Sequence, residues 1–268
     1  MAEPPTTSNT PAYGAGLLDH HLPLEARRLR ALEAFADPGS RAALDSCGLQ
    51  AGWRCLEVGG GAGSVARWLA GRCAPGEVVA TDLDISLLPK NVPNLTVLRH
   101  DVVGEDFPEA SFDLVHTRAL LEHLPEREDV LAKMVRWTAP GRWVCVEGVI
   151  VVTSTDGARN ACHRCLDALV ALADSMRADA RWATAVPRLL AQAGLEDVGL
   201  RCTPGLVGPG GNANALLRLA LSLTGPAMVA RGFIQPQDLT DCTRLLDNAR
   251  YTDLAFLSLS AWGRRPPA

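Results

Sequence analysis

The chain has 268 residues, 47% hydrophobic and 21% charged, which is enough for one substantial domain with a sizeable core and tight for two. A formal net charge of -4 supplies no overall basic field for nucleic acid or an anionic membrane, and 5% aromatic residues offer little for stacking bases. No stretch approaches the roughly 18 consecutive apolar residues of a membrane span, so the expected partner is a small molecule, with no nucleic acid and no membrane.

Residues 1–12 are polar and Pro-rich without an apolar run, reading as a disordered leader rather than a secretory signal. An N-terminal helical lid is expected over 13–50. Leu17, Leu18, Leu22, Leu24, Leu29, Leu32 and Phe35 have helical spacing, broken at Pro23, and a second short helix over 40–48 ends at Gly48. A βα alternation follows, with strands over 53–58, 77–81, 95–99, 112–116 and 142–152. Helices are expected over 64–72 and 128–137, with a short helical segment at 86–89. Such alternation argues for a parallel sheet covered by helices on both faces. Beyond 156 the pattern is helical to about 193, then a strand over 196–202 and a Gly/Pro-rich link over 203–211. Helical stretches over 212–231 and 236–249 precede a last strand over 254–262. The organisation read from this is an α/β core over 51–203, a helical cap insertion over 204–250 and a closing core strand within 251–268.

The informative segment is Leu56-Glu57-Val58-Gly59-Gly60-Gly61-Ala62-Gly63-Ser64. A strand runs into glycines and a helix starts just after, so the backbone turns tightly and lets a ligand approach closer than a Cβ permits. The helix start presents free N–H groups. Asp82 ends the next strand at a spacing that suits a carboxylate accepting from the ribose hydroxyls of an adenosine. Gly61-x-Gly63-x-x-Ala66 also matches the looser dinucleotide fingerprint, so a nicotinamide oxidoreductase stays open. Glu57 at the strand tip favours a cationic ligand instead, because an anion there repels a pyrophosphate.

These residues resemble the class I S-adenosylmethionine-dependent methyltransferases of bacterial small-molecule, natural-product metabolism. The likeness lies in Leu56–Gly63, Asp82, His100-Asp101-Val102, Phe112–Arg118 and Leu121-Glu-His-Leu-Pro125, and continues to Ser260–Arg265. It implies a Rossmann-like, doubly wound seven-stranded α/β sheet with an antiparallel last strand, S-adenosylmethionine as cofactor and S-adenosylhomocysteine as product. By the same resemblance Gly59, Gly61 and Gly63 lie along the methionine part, with Glu57 at its amino end. Asp82 holds the ribose, Leu83 packs on the adenine, and Asp101 accepts from the adenine amino group beside Val102. Thr117 and Arg118 sit near the reacting methyl. Arg28, in Glu25-x-x-Arg28, is placed at the cofactor carboxylate, with a surface ion pair as its other reading.

Methyl transfer is an in-line displacement in which alignment carries much of the rate, and a base is needed only where the acceptor loses a proton. His116, His123 and Glu147 are the candidates for that chemistry, each with a structural role as its alternative. The expected acceptor is small and largely apolar, accepting on O, N or C. Retention of the cofactor for a cyclisation or rearrangement is the alternative that identical motifs leave open. Cys162-His163-Arg164-Cys165 has redox or zinc spacing but no second cysteine pair, so packing is expected and no metal. The eight cysteines are spread through the chain and read as buried thiols of a reducing, cytoplasmic compartment. His20-His21 reads as a solvated pair. The leucine stripe Leu216, Leu217, Leu219, Leu221 and Leu223 fits a core face, a homodimer interface or a pocket wall.

Overall fold

A computed structural model describes residues 21–153 and 159–268. The leader over 1–12, the first residues of the lid and His20 lie outside the described residues. In chain order the elements are α1 (Pro23–Ser46), β1 (Cys55–Val58), α2 (Ser64–Cys73), β2 (Val78–Asp82), β3 (Leu95–Arg99), β4 (Phe112–Arg118), α3 (Arg127–Trp137) and β5 (Thr138–Val151). They continue as α4 (Ala161–Ser175), α5 (Val186–Gln192), β6 (Glu196–Val207), α6 (Asn214–Ala230), α7 (Pro236–Asp247) and β7 (Asp253–Arg264). Short 3-10 turns stand at Ile85–Leu87, Leu121–His123 and Trp182–Ala185.

The strands form one seven-stranded sheet in the order β3-β2-β1-β4-β5-β7-β6. β1 to β5 pair in parallel, and β7 runs antiparallel to both β5 and β6. This is the doubly wound sheet with an antiparallel closing strand that the sequence leads one to expect.

Two local expectations are corrected. The N-terminal segment is one 24-residue helix that begins at Pro23 and passes through Pro38. Pro23 occupies the first turn, where no N–H is needed. Pro38 removes an internal hydrogen bond, yet Phe35, Ala36, Gly39, Ser40, Ala43 and Leu44 are buried along that stretch and hold it. The second correction concerns the link after residue 202. Thr203–Val207 continues β6, paired with β7 through Thr203↔Ser258 to Val207↔Asp253. β6 is an edge strand, so Pro204 breaks no ladder on its open side.

Strand alternation sorts the side chains by face. Leu56, Val58, Val115, Val144 and Val146 pack with Met134, Trp137 and Leu190 of α3 and α5. Cys55, Leu114 and Cys145 pack on the other face with Leu44, Val65 and Leu69 of α1 and α2. That second face also receives Glu57, His116, Arg118 and Glu147, near the carboxyl ends of β1, β4 and β5. In α6, Leu216, Leu217 and Leu221 join Phe35, Leu166, Cys162 and Cys242 in one core cluster, so those three leucines form a core face.

Candidate active site

The glycine segment leaves β1 at Val58 and turns under the start of α1 towards α2. Gly63 has φ +82°, and a Cβ there would run into Pro89. Gly59 has φ +68°, and a Cβ would meet Leu120 Cδ2 at 2.8 Å. Both positions therefore require glycine on conformation and on space. The cleft above the loop is lined by Glu57, Gly59, Gly60, Gly61, Ala62, Val65 and Asp82 from one side. Arg28, Leu29, Leu32 and Glu33 of α1 line the other side, with Arg118, Ala119, Leu120 and His123 after β4. The helix read as a lid thus supplies one wall.

Asp82 is held in the cleft by the loop itself: Oδ2 accepts from Gly61 N–H at 2.9 Å and Oδ1 from Asp84 N–H at 3.2 Å. Arg28 lines the cleft and forms a bidentate pair with Glu25 at 2.7 and 2.6 Å, and because Glu25 is buried this is not the surface ion pair of its other reading. Burial, followed by the charges of Arg28 and Arg127, lowers the His123 pKa to about 3 and keeps its ring neutral.

α2 has Gly63 as its N-cap and no cap of its own. The cap comes from α1: Glu33 Oε1 accepts from Ser64 N–H at 2.9 Å, and Asp37 Oδ1 accepts from the Ser64 hydroxyl at 2.8 Å. Arg118 closes this cluster by donating to Asp37 at 2.9 Å, to Ser40 at 2.9 Å and to Ser64 at 3.2 Å.

Below the cleft wall lies a buried ladder of charges. Glu57 and His116 are register partners on β1 and β4. His116 Nδ1 lies 2.5 Å from Glu57 Oε2, and Nε2 lies 2.9 Å from Glu147 Oε1. Glu147 Oε2 accepts from the hydroxyls of Ser40 at 2.7 Å and Ser260 at 3.0 Å. Burial alone would depress His116, but the charges and hydrogen bonds of the two glutamates outweigh it and lift its pKa to about 9. Burial likewise pushes Glu147 up, but His116 and Arg118 pull it below the usual carboxylate range.

The expected site residues therefore divide into those on the cleft and those behind it. Glu57, Gly59, Gly61, Asp82, Arg28, Arg118 and His123 line the cleft, and Gly63 shapes its floor. His116 and Glu147, expected as candidates for proton chemistry, are sealed behind the wall with every polar side-chain atom engaged. Thr117 is also turned away, its hydroxyl donating to Val58 carbonyl at 2.8 Å. Leu83, Asp101 and Val102 are not part of the enclosed lining. Asp101 is exposed and accepts from Val103 N–H at 3.0 Å, and Val102 packs in the core.

Among the described residues, His116, Cys145 and Glu147 alone have ligand atoms grouped at metal-binding distances, within 4.8 Å of one another. Both His116 nitrogens already face carboxylates. Cys162 packs against Cys242 between α4 and α7, with its sulfurs 2.7 Å apart, and Cys165 lies against Asp238 carbonyl at 3.7 Å. Glu33, Asp37 and Ser40 went unread in the sequence. Their spacing at i, i+4 and i+7 puts them along one face of α1, a signal available only once α1 is known to be unbroken.

The comparisons with known proteins agree with this geometry. Residues 56–146, from β1 to β5, match the family described as methyltransferase domain. Methyltransferase str2 of Strobilurus tenacellus is 32% identical over 158 residues, a match covering 55% of this chain and 55% of that protein. The chain thus spans about half the length of that curated relative. A phosphoethanolamine N-methyltransferase 2 of Haemonchus contortus, solved with S-adenosylhomocysteine, has a TM-score of 0.57 at 16% identity, covering 85% of this chain and 52% of that one. The [4+2]-cyclase SpnF has a TM-score of 0.54 at 15% identity, covering 87% and 82%. At such identities both share the fold alone. The sequence match to a methyltransferase domain covers residues 56–146, which carry the glycine cradle and its flanking acids, and the fold around them is shared with those solved structures.

Proposed function

We propose that the chain transfers the methyl group of S-adenosylmethionine to a small, largely apolar metabolite. The observation that carries this reading is the cleft's pairing of a glycine loop with acids and arginines, among them Glu57, Asp82 and Arg28. Glu57 and Asp82 stand on the loop side and Arg28 on the helix side. That set fits a zwitterionic amino acid joined to a ribose: Glu57 for the ammonium, Arg28 for the carboxylate and Asp82 for the ribose hydroxyls. When bound, the sulfonium supplies an electrophilic methyl. The chain's own residues bind, align and exclude water, with Leu29, Leu32 and Leu120 forming the apolar part of the wall.

A nicotinamide dinucleotide fits less well, because Glu57 would meet its pyrophosphate. Among the described residues no helix is long and apolar enough to cross a membrane, and seven of the eight cysteines are buried thiols. Both support a cytoplasmic enzyme acting on a small molecule, and the family resemblance supports a role in natural-product biosynthesis.

Calorimetric titration with S-adenosylhomocysteine, with NADH as control, tests the reading. Micromolar binding of the first and none of the second is expected, and the reverse result sinks it. Asp82→Ala should weaken that binding at least tenfold, roughly the value of a charge-assisted hydrogen bond. Equal affinity in the variant would remove the ribose assignment.

A further inference from the structure

Glu122 and Trp182 are each 6% exposed, and Glu122 Oε2 and Trp182 Nε1 are buried polar atoms without a hydrogen-bond partner. Such atoms are uncommon in folded proteins, and each calls for a reason. The two residues share one neighbourhood. Asp179 N–H donates to the Glu122 carbonyl at 2.7 Å, and Trp182 N–H donates to the Asp179 carbonyl at 3.1 Å. Across from them is Gly148 of β5. A Cβ there would lie 2.7 Å from Ala183 Cβ and 3.5 Å from both Glu122 carboxyl oxygens. The Glu122 carboxylate is met by its own backbone N–H and, at Oε1, by a long bond from Val149 N–H at 3.4 Å. The next residue, His123, lines the cleft with Arg28.

This place lies beside the carboxyl ends of β4 and β5, the end of an open α/β sheet at which ligands bind. Its surroundings are apolar: Leu121 and Leu124 on one side, Ile150, Ala183 and Leu259 on the other. The charged groups acting on Glu122 are Arg127 and Arg28. Burial outweighs them and pushes its carboxyl up to about 7, where a proton is taken up and released near neutrality.

We propose that Glu122 and Trp182 form a polar acceptor subsite for an apolar molecule carrying a hydroxyl group, the indole N–H donating to the hydroxyl oxygen and the Glu122 carboxylate accepting its proton. A hydroxyl both accepts and donates, which matches one unused donor and one unused acceptor. An ammonium would meet Arg28 and Arg127 and could accept nothing from the indole. A carboxylate would meet Glu122. In the transfer the ligand's O–H bond breaks, a bond forms between the proton and Glu122 Oε2, and the electron pair stays on the ligand oxygen as nucleophile. No other reactant is required. Both atoms are sealed in this structure, so entry displaces the short turn at Trp182–Ala185.

Naming the ligand an acceptor rests on the methyltransferase reading, and the test separates the two. Fluorine NMR titrations of 4-fluorophenol and 4-fluorotoluene into the full chain, with and without S-adenosylhomocysteine, read the subsite directly. The phenol should bind about fivefold more tightly, the value of one net hydrogen bond, and more tightly at pH 8 than at pH 6. Glu122→Gln and Trp182→Phe should abolish that preference while keeping S-adenosylhomocysteine affinity within about twofold. Glu122→Gln should also raise Tm by about 2 °C, because a poorly paired buried carboxyl is removed. Equal binding of the two probes, a preference that survives both substitutions, or a Tm loss above about 5 °C would overturn the proposal. The last result would make the carboxyl a structural tie. Failure of the wild type to bind S-adenosylhomocysteine would instead count against the methyltransferase reading, with the phenol preference still deciding the subsite.

Discussion

Two glutamates near the carboxyl ends of neighbouring strands are equally hidden and unequally paired. Glu147 on β5 has one oxygen on His116 and the other on the hydroxyls of Ser40 and Ser260. Glu122, just past β4, has backbone N–H groups alone, its own and a distant one from Val149, and an oxygen with no partner. Burial raises the pKa of both. In Glu147 the imidazole reverses the effect, whereas in Glu122 nothing comparable does, and its carboxyl reaches about 7. Depth alone therefore does not mark a functional acid. A carboxylate whose oxygens are all engaged ties strands and helix together, and one left half-paired strains the fold and stays available for a ligand.

The sharpest way to break this comparison is Glu147→Ala. It leaves His116 charged beside a single carboxylate, removes the acceptor of Ser260 and leaves Ser40 with the Ala36 carbonyl at 3.2 Å. Removing one partner of a buried ion pair costs about 3–5 kcal/mol, or a Tm loss of roughly 10 °C in a chain of this size. Thermal and urea melts should both register it. A loss under about 1 kcal/mol would mean the ladder is no stronger than a surface pair.

The pH dependence of stability has opposite origins in the two clusters. His116 is raised from 6.5 to about 9, so its contribution is fully present below 6.5 and disappears as pH rises through 9. The shift corresponds to about 3 kcal/mol. Glu122 is raised from 4.5 to about 7, so stability is highest below 4.5 and falls as pH rises through 7. Glu147, being lowered, acts in the other direction and weakens the fold only as pH drops into the acid range. Urea midpoints measured from pH 5 to pH 10 should fall in two stages. Glu122→Gln should remove the lower stage and His116→Gln the upper. A single stage unaffected by either substitution would dissolve the distinction.

Much of the frame was legible in the sequence because strands and glycine loops write themselves locally. The run from Leu56 to Gly63, Asp82 at the end of β2 and the existence of the late strands follow from short-range pattern, whereas β6 runs five residues past its expected end, into the segment read as a link. The ladder was only half legible. His116 and Glu147 were each singled out for proton chemistry, but strand register and the alternation of faces decide that they meet Glu57 and one another rather than a ligand. Ser40 lies 107 positions from Glu147 along the chain, and no local rule links them. Proline misled at Pro23, which reads as a break and instead starts α1, and the packed face around Pro38 joins the segment over 40–48 to the same helix. Glu122 stands out in the sequence only as part of Leu121-Glu-His-Leu-Pro125, since an unsatisfied oxygen is a property of its surroundings and leaves no trace in sequence.

The smallest predicted effect also tests how far Glu147's influence reaches. Ser40 is fully buried, donates to Glu147 at 2.7 Å and accepts from Arg118 at 2.9 Å. Ser40→Ala removes these bonds and a longer one to the Ala36 carbonyl at 3.2 Å, yet leaves no charge alone, because Glu147 keeps His116 and Ser260 and Arg118 keeps Asp37. The expected cost is therefore about 1–1.5 kcal/mol, near 3 °C in Tm, well below that of Glu147→Ala. Its location matters more than its size. Ser40 is the one α1 residue bonded to Glu147, so the loss should appear in hydrogen exchange as faster amide exchange along Pro23–Ser46, with β5 protected as before. Faster exchange spread evenly over sheet and helix would show that the ladder acts as one unit. No change in α1 would confine Glu147 to bracing the sheet, and the cleft wall formed by Leu29, Leu32 and Glu33 would then depend on the α2 cap alone.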